Sequence, residues 1–460
     1  MLDGLKSYFR HFSWPILLAM ISLLAISVTA VRMAENVNAG TEGYATRQMI
    51  FGLVALAGFF AVTLINYQRI GRYSYFLLAI TIGLLILVFL FPDKRGSRRW
   101  IYLPGMADSI NLQPSEVAKV TYIIALAWYL RFRSNYRQLR GLIVPFLITL
   151  VPLVLIFKEP DLGTSLLLLP TLIVMLFMAG AKLRHLLVIV LLGVLVVMLP
   201  APREVDQNAF NAQIDRFRAR RLGPVTFYSV DTQLPWRSRP EVPVAYFRYR
   251  IGQGDVYDLQ PLCLRKMNDY QAYRIEGWLR QDDPRVREYK GYQLYQSMTA
   301  LGSGQLYGQG GWDESSIYFR MLPDDHTDFI YAVVGGQWGF VGCVGVLVLY
   351  AIIFIFGVDV ATSTQDPFGR LLAVGVLALL AAQVFINIGM TMGMMPITGM
   401  TLPLVSYGGS SLLVNGVALG LLVNVGQRRP VSLAPKPFEY GSGRSGDQSR
   451  LSSALPGRSR

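Results

Sequence analysis

Ten apolar stretches punctuate this chain, each close to the roughly 20 residues that a helix needs to cross a hydrocarbon core about 30 Å thick. They cover residues 14–32, 48–65, 74–91, 114–131, 141–157, 162–180, 185–201, 329–356, 370–394 and 401–425. No single soluble core hides that much apolar surface. Hydrophobic residues make up 53% of the 460 and charged residues only 16%, which excludes an ordinary soluble enzyme. The expected fold is an all-α polytopic membrane protein of about ten transmembrane helices, with a large extracytoplasmic loop between helices 7 and 8. Helices 1–7 are expected within 1–201, the loop over 202–328, helices 8–10 within 329–430, and a disordered cytoplasmic tail over 431–460. Lys6 and Arg10 precede a first span too long for a cleaved leader and without a small-residue cleavage site, so an uncleaved signal anchor is expected.

Basic residues in the short connections set the orientation, because Lys and Arg are retained on the cytoplasmic side. Arg69 and Arg72, Arg131 to Arg140, Lys182 and Arg184, Arg370, Arg428 and Arg429 all fall on the side of Lys6 and Arg10. An even number of spans then leaves both termini cytoplasmic. Lys94, Arg95, Arg98 and Arg99 run against the rule on the outer face; they are either tolerated loop charges or contacts for an anionic ligand. The net charge of +14 sits between apolar runs, which suits anionic lipid or a lipid-linked anion and not nucleic acid. Cys263 and Cys343 make neither a disulfide framework nor a metal-ligand spacing. His11 and His185 read as ordinary interfacial residues.

Within the long loop, residues 204–265 are rich in Arg, Pro and aromatics, including Arg216, Phe217, Arg218, Arg220, Arg221, Tyr246, Phe247 and Tyr249, with a short hairpin expected around Gly252-Gln253-Gly254. Loops of this length are normally functional or folded insertions. Tyr246, Phe247 and Tyr249 are aromatics of the kind that either anchor a partner or build a small core of their own.

Polar residues at the edges of the spans carry the chemistry, since an ionisable group in low dielectric is costly unless it is paired or used. Four places stand out. Gln113 to Lys119 opens the fourth span, with Glu116 and Lys119 three apart on one helix face, either as an internal ion pair or as a cation facing an anionic substrate. Lys158 to Thr164 puts three charges in an outer turn, where Asp161 caps the next helix or lines a cavity. Leu322 to Phe329 places His326 and Asp328 at the water–membrane boundary, Asp328 being either a helix cap or a base for an incoming hydroxyl. Pro403 to Ser411 brings Ser406, Gly408, Gly409 and Ser410 to a helix start, a fit for phosphate oxygens or for close helix packing. No spacing specifies a tight metal cage, although a divalent ion shared between one carboxylate and substrate phosphates is compatible with the residues.

With these residues in place, the chain resembles the SEDS family, the polytopic proteins of shape, elongation, division and sporulation. The matching stretches are Ser97 to Ile101 with Arg99 and Trp100, Gln113 to Lys119, Glu159 to Thr164, Gly291 to Ser297, Gly302-Ser303-Gly304 with Gly308-Gln309-Gly310, Pro323 to Phe329, and Pro403 to Ser411. Ser115-Glu116-Val117-Ala118-Lys119 leans to the RodA-like, elongation branch. The resemblance implies a peptidoglycan glycosyltransferase of the cytoplasmic membrane that polymerises lipid II, a disaccharide-pentapeptide on undecaprenyl pyrophosphate. It implies Asp328 as the catalytic base, Arg47, Arg99 and Lys119 as partners of the pyrophosphate, a Mg2+ or Mn2+ ion as a compatible cofactor, and a class B penicillin-binding protein as partner. Two features depart from the family: Gly335-Gly336-Gln337-Trp338-Gly339 lacks the acidic residues often found there, and residues 204–265 look like an insertion. A lipid II flippase and a non-catalytic scaffold for a transpeptidase are the rival readings.

Overall fold

The computed structural model describes residues 12–37, 43–91, 99–102, 111–133, 138–159, 161–230, 247–252, 254–262, 269–309 and 326–428. Lys6, Arg10, His11, Lys94, Arg95, Arg98, Tyr246, Cys263, Pro323 to Asp325 and the tail at 431–460 lie outside them. The membrane helices are α1 (Trp14–Val37), α2 (Tyr44–Leu64), α4 (Ser74–Val88), α5 (Pro114–Leu130), α6 (Ile143–Lys158), α7 (Leu162–Ala179), α8 (Leu183–Met198), α13 (Ile330–Ser363), α14 (Pro367–Thr391) and α15 (Gly409–Gln427), with short α3 (Tyr67–Arg72) in the connection after α2. Seven of them, α1, α2, α6, α7, α13, α14 and α15, are long and apolar enough to span, α6 being counted from Leu139. α4 and α8 are shorter apolar helices, and α5 carries the charged pair Glu116 and Lys119 inside 17 residues.

α5 and α14 form the middle of the bundle, buried on nearly every side, whereas the outer half of α8 is exposed all round. The seam between α2 and α15 is made by small residues: a Cβ at Gly416 or Gly420 would stand 2.6 Å from the carbonyl oxygen of Ala55 or Phe59. Without a hydrophobic drive between helices in lipid, such close backbone approach is what gives association its van der Waals gain.

Two of the expected spans take a different course. α13 has 34 residues, about 51 Å if straight, yet it is two helices folded back at Gly339. There the backbone adopts φ 64° and ψ −159°, a region open essentially to glycine. A Cβ at Gly335 would stand 3.1 Å from Cys343 Sγ, eight residues away and about 12 Å along a straight helix. Residues 330–338 are therefore a re-entrant half-helix, and the membrane crossing starts at Phe340. The reversal is clasped by residues 304–309: the N–H groups of Phe340 and Val341 donate to the Gln305 and Leu306 carbonyls, and Gln309 N–H donates to the Gly336 carbonyl. The tenth span begins at Gly409, not near 401. Residues 401–408 turn instead, with Leu404 at φ 66°, outside the helical region, and the Ser406 hydroxyl accepting from the Leu402 N–H across the turn.

The long loop holds helices α9 (Gln207–Asn211), α10 (Asp269–Leu279), α11 (Pro284–Glu288) and α12 (Tyr292–Ser303), of which α10 and α12 dock on the end of α14: Trp278 Nε1 donates to the Gly393 carbonyl and Ser297 Oγ to that of Thr391. It also holds a β structure that the all-helical expectation lacked. Besides the two-stranded ladder β1 (Ile101–Tyr102) with β2 (Asn111–Leu112), strands β3 (Pro200–Glu204), β4 (Phe217–Leu222), β5 (Val225–Val230), β6 (Phe247–Ile251) and β7 (Val256–Pro261) form an antiparallel sheet in the order β3-β7-β6-β5-β4. The expected hairpin around residue 252 is the β6–β7 connection. Alternation of Phe, Arg, Tyr, Arg and Ile along β6 is the period-two pattern of a strand with two unlike faces.

Candidate active site

The four polar stretches converge on the turns that lead into α15. Asp161 caps α7, its Oδ1 accepting from Thr164 N–H at 3.1 Å. Its Oδ2 accepts from Ser115 Oγ at 3.0 Å and from Gln113 Nε2 at 3.1 Å, while Gln113 N–H donates to Ser410 Oγ at 3.3 Å. One carboxylate thus fastens the outer starts of α5, α7 and α15. Beside it Glu159 is fully buried, and among the described residues neither of its oxygens has a hydrogen-bond partner. Burial first, and then the neighbouring Asp161 charge, push its carboxyl up to about 8, against the opposing pull of Arg99.

One turn into α5, Lys119 and Glu116 form an ion pair at 2.8 Å with both side chains buried. The internal-pair reading of these two residues is the one the geometry has; Lys119 does not face an open surface. Such a pair fixes a helix among its neighbours more than it adds net stability.

Gly163 abuts Thr398 and Met400 so closely that a Cβ would stand 2.2 Å from Met400 Cγ. Between these two lies Gly399 (φ 72°), where a Cβ would stand 2.5 Å from Arg274 Nη1 and 3.4 Å from Asp328 Oδ2. The turn 398–400 is consequently a thin wall, with the Asp161 cluster behind it and Asp328 in front. Asp328 does not cap α13, whose capping residue is Phe329, without a side-chain bond. Its carboxylate instead faces Arg274 of α10 at 3.8 Å. Its carbonyl accepts from Asn387 Nδ2 at 3.0 Å, and the same Nδ2 also donates to the Met400 carbonyl at 2.6 Å. The half-helix 330–338 separates Asp328 from the Gly339 reversal by about 14 Å.

Ser406 is a strut, its Oγ donating to the Thr327 carbonyl at 2.6 Å, and Tyr407 N–H donates to the His326 carbonyl at 2.9 Å. Gln48 joins these turns to the first helices, its Nε2 donating to Ser27 Oγ at 2.6 Å and to the Ser406 carbonyl at 3.0 Å. Tyr44 stacks on Tyr407 at 4.8 Å, His326 stands edge-on to both rings, and Arg47 lies over Tyr44 at 5.9 Å. Gly409 packs on the Phe51 ring, where a Cβ would stand 3.0 Å from Cε1, whereas Gly408, its N–H 3.4 Å from Gln48 Oε1, is set by a backbone φ of 155° and not by close packing. Arg99 and Trp100 are half-buried beside β1, and Lys158 is exposed at the last turn of α6.

Sequence reasoning missed Arg274, Asn387 and Glu159 as parts of this site. Arg274 and Asn387 reach Asp328 only through tertiary folding and carry no local spacing signal; Glu159, the second residue of a charged turn, did carry one. Among the described residues no three His, Cys, Asp or Glu side chains come together as a metal cage, and the oxygens of Asp161 are already taken by Thr164, Ser115 and Gln113. The donor set does not fit a protein-held Mg2+ or Mn2+.

Comparison with known proteins bears on this arrangement. The chain matches the FtsW/RodA/SpoVE family, described as cell cycle protein, over residues 10–220 and 255–430. It is 32% identical over 434 residues to the peptidoglycan glycosyltransferase RodA of Treponema pallidum, covering 91% of this chain and 98% of that one. It is 30% identical over 430 residues to the stage V sporulation protein E of Bacillus subtilis, covering 90% and 98%. The fold is similar to that of the Thermus thermophilus rod shape determining protein RodA, with TM-score 0.58, 24% identity and coverage of 91% of this chain and 97% of that one. It is also similar to a chain of a peptidoglycan synthase complex, with TM-score 0.65, 24% identity and coverage of 92% and 99%. Residues 221–254, which carry the end of β4 and the whole of β5 and β6, fall between the two matched stretches, a narrower insertion than 204–265. This chain belongs to the FtsW/RodA/SpoVE family.

Proposed function

We propose that the protein is a peptidoglycan glycosyltransferase that polymerises lipid II at the outer face of the bacterial cytoplasmic membrane, with both termini cytoplasmic and Asp328 as the general base. Curated relatives named peptidoglycan glycosyltransferase support the reaction class. The observation that carries the role of Asp328 is its carboxylate, unused as a helix cap and turned toward Arg274 at the membrane-ward end of a re-entrant half-helix. In the reaction an acceptor sugar hydroxyl attacks the donor anomeric carbon. The new glycosidic C–O bond forms as the bond to pyrophosphate breaks, the hydroxyl proton passes to the Asp328 carboxylate, and undecaprenyl pyrophosphate leaves as the anion.

Cations at the mouth, Arg47 and Arg99, are suited to the pyrophosphate, with Trp100, His326 and Tyr407 as walls for the substrate. Lys119, Glu116 and Asp161 act by holding α5 and α7 in place. A Mg2+ or Mn2+ ion would take most of its ligands from substrate phosphate oxygens, and no step is assigned to it. A class B penicillin-binding protein is the partner this reading implies, and the elongation branch is favoured by the RodA-like form of residues 115–119.

Purified protein given lipid II in detergent, alone and with a class B transpeptidase, tests the proposal. Asp328→Asn is expected to lower polymerisation by about 10²- to 10⁴-fold, the usual loss of a general base, with folding unchanged. Movement of fluorescent lipid II across vesicles without polymer, or polymer formation by a well-folded Asp328→Asn protein at more than a tenth of the normal rate, overturns it.

A further inference from the structure

The inserted sheet is built inside out for a domain in water. Strand register divides its residues cleanly: Arg220 faces Phe227, Phe227 faces Tyr249, and Tyr249 faces Tyr257, so these side chains share one face, joined by Phe247 and Ile251 on β6. The opposite face holds the charged pair. Arg248 donates to both oxygens of Asp258 at 2.6 and 2.8 Å, buried under Phe210, which packs on Phe217 and Tyr228. The first face is the aromatic one, and among the described residues it stands the more open of the two, with Phe227, Tyr249 and Tyr257 only half-buried. Phe227, Phe247, Tyr249 and Tyr257 run across it with ring centroids 5.4, 5.9 and 6.0 Å apart, and Phe247 and Ile251 are 45% and 57% exposed. An antiparallel sheet with one solvated face ordinarily turns its polar side chains to water; a contiguous apolar face marks a contact surface.

What lies against it follows from how the sheet is attached. α8 has 16 residues, about 24 Å of rise, short of a hydrocarbon core about 30 Å thick. Leu199 and the start of β3 therefore lie inside the outer membrane boundary. From Val190 to Pro200 every residue is exposed, so the outer half of α8 is surrounded by acyl chains, and this apolar surface runs on without a break into Pro200 and Pro202 at the foot of the aromatic face. The charged side chains on that face are Glu204, Arg218 and Arg220; the two arginines share β4 with Leu222, and Tyr249 and Tyr257 bring hydroxyls. Aromatics with a polar tip beside arginines are the composition of a headgroup-level anchor, and cationic side chains there gain from lipid phosphates.

We propose that the face carrying Phe227, Phe247, Tyr249 and Ile251 rests on the outer leaflet of the membrane that α8 crosses, with Arg218 and Arg220 against lipid phosphates. The sheet is then a membrane-surface anchor fixed to the lipid-exposed helix α8. This inference is independent of the catalytic reading.

The test uses the full-length chain in vesicles of phosphatidylcholine with phosphatidylglycerol. Cys263 and Cys343 are replaced by Ala, and a nitroxide is placed in turn through Phe247→Cys, Ile251→Cys and, on the opposite face, Ala219→Cys. Collision of the spin label with oxygen, which partitions into lipid, and with a water-soluble nickel chelate reports its surroundings. The expected result is nickel contact several-fold lower at 247 and 251 than at 219, with oxygen contact at least as high. Equal nickel contact at all three positions overturns the proposal, because the sheet then stands in water. Protection from both reagents also overturns it, in favour of a protein surface; if that protection appears only when a class B transpeptidase is added, the surface is the partner's. Two labelled positions guard against one variant failing to fold, and thermal unfolding of each variant in detergent verifies its integrity.

Discussion

The guanidinium of Arg274 lies 3.8 Å from the carboxylate of Asp328, although one residue belongs to a helix of the long loop and the other precedes a re-entrant one. Neither element packs the pair by itself; the turn at Gly399 closes it from the third side. α10 is in turn anchored, since Glu276 accepts from Lys290 at 2.9 Å and Trp278 donates to Gly393. The orientation of the carboxylate is therefore set from the loop and not from the membrane bundle alone.

Arg274→Gln is expected to lower the turnover number for polymerisation by about 10- to 10²-fold, as misplacement of a reacting group by about 1 Å does, with a smaller change in KM. Arg274→Lys, which keeps the charge on a different stem, should recover part of the loss. Equal losses in both variants, carried mainly by KM, would make Arg274 a substrate ligand and not a positioning residue.

Lys119→Met leaves Glu116 buried without its partner, and a loss of about 3–5 kcal/mol is expected for a broken buried pair. The double change Glu116→Gln with Lys119→Met should regain most of the stability, since neither group is then charged. Thermal unfolding in detergent reads this directly. Recovered polymerisation together with recovered stability establishes the pair as structural; recovered stability without activity would return Lys119 to the pyrophosphate.

Gly339→Ala should destabilise by about 1–3 kcal/mol from backbone strain alone, and more because the added Cβ would stand 2.3 Å from Gly308 N. Activity is expected to fall with it, because the half-helix bearing Asp328 hangs from this reversal. A lowered unfolding temperature with unchanged polymerisation would show that the hairpin re-forms around the extra methyl group.

Glu159 gives a dependence on pH. Its carboxyl is raised from 4.5 to about 8 in the folded protein, so the folded state keeps a proton that the unfolded chain gives up. Stability falls as pH climbs from about 4.5 to about 8 and levels off beyond. Glu159→Gln is expected to flatten that slope and to raise the unfolding temperature above pH 8. An unchanged slope in the variant would assign it to another group.

The positions of most membrane helices were legible because apolar length is a local property, and so were the four polar stretches, each anchored by Pro, Gly or a charge at a helix edge. The course of α13 was not. Gly335, Gly336 and Gly339 fit a straight, tightly packed helix as well as a reversal, and the choice between them is made by Gln305 and Leu306 from elsewhere in the chain. The sheet was only half legible, since an arginine buried against Asp258 looks in sequence like an arginine in water. Arg274 was invisible for the same reason that it matters, its partner being distant in sequence.

The loops that build the site join the two ends of the polypeptide: Ser27 and Gln48 come from the first two membrane helices, while Ser406 and Tyr407 immediately precede the last one. During synthesis, the segment holding Asp328 emerges before residues 398–411 exist to receive it. A nascent chain with nine helices inserted thus has its carboxylate but no wall behind it and no strut from Ser406 to Thr327. Competence therefore waits for α15, and premature termination anywhere before it yields an inert protein and not a partly active one.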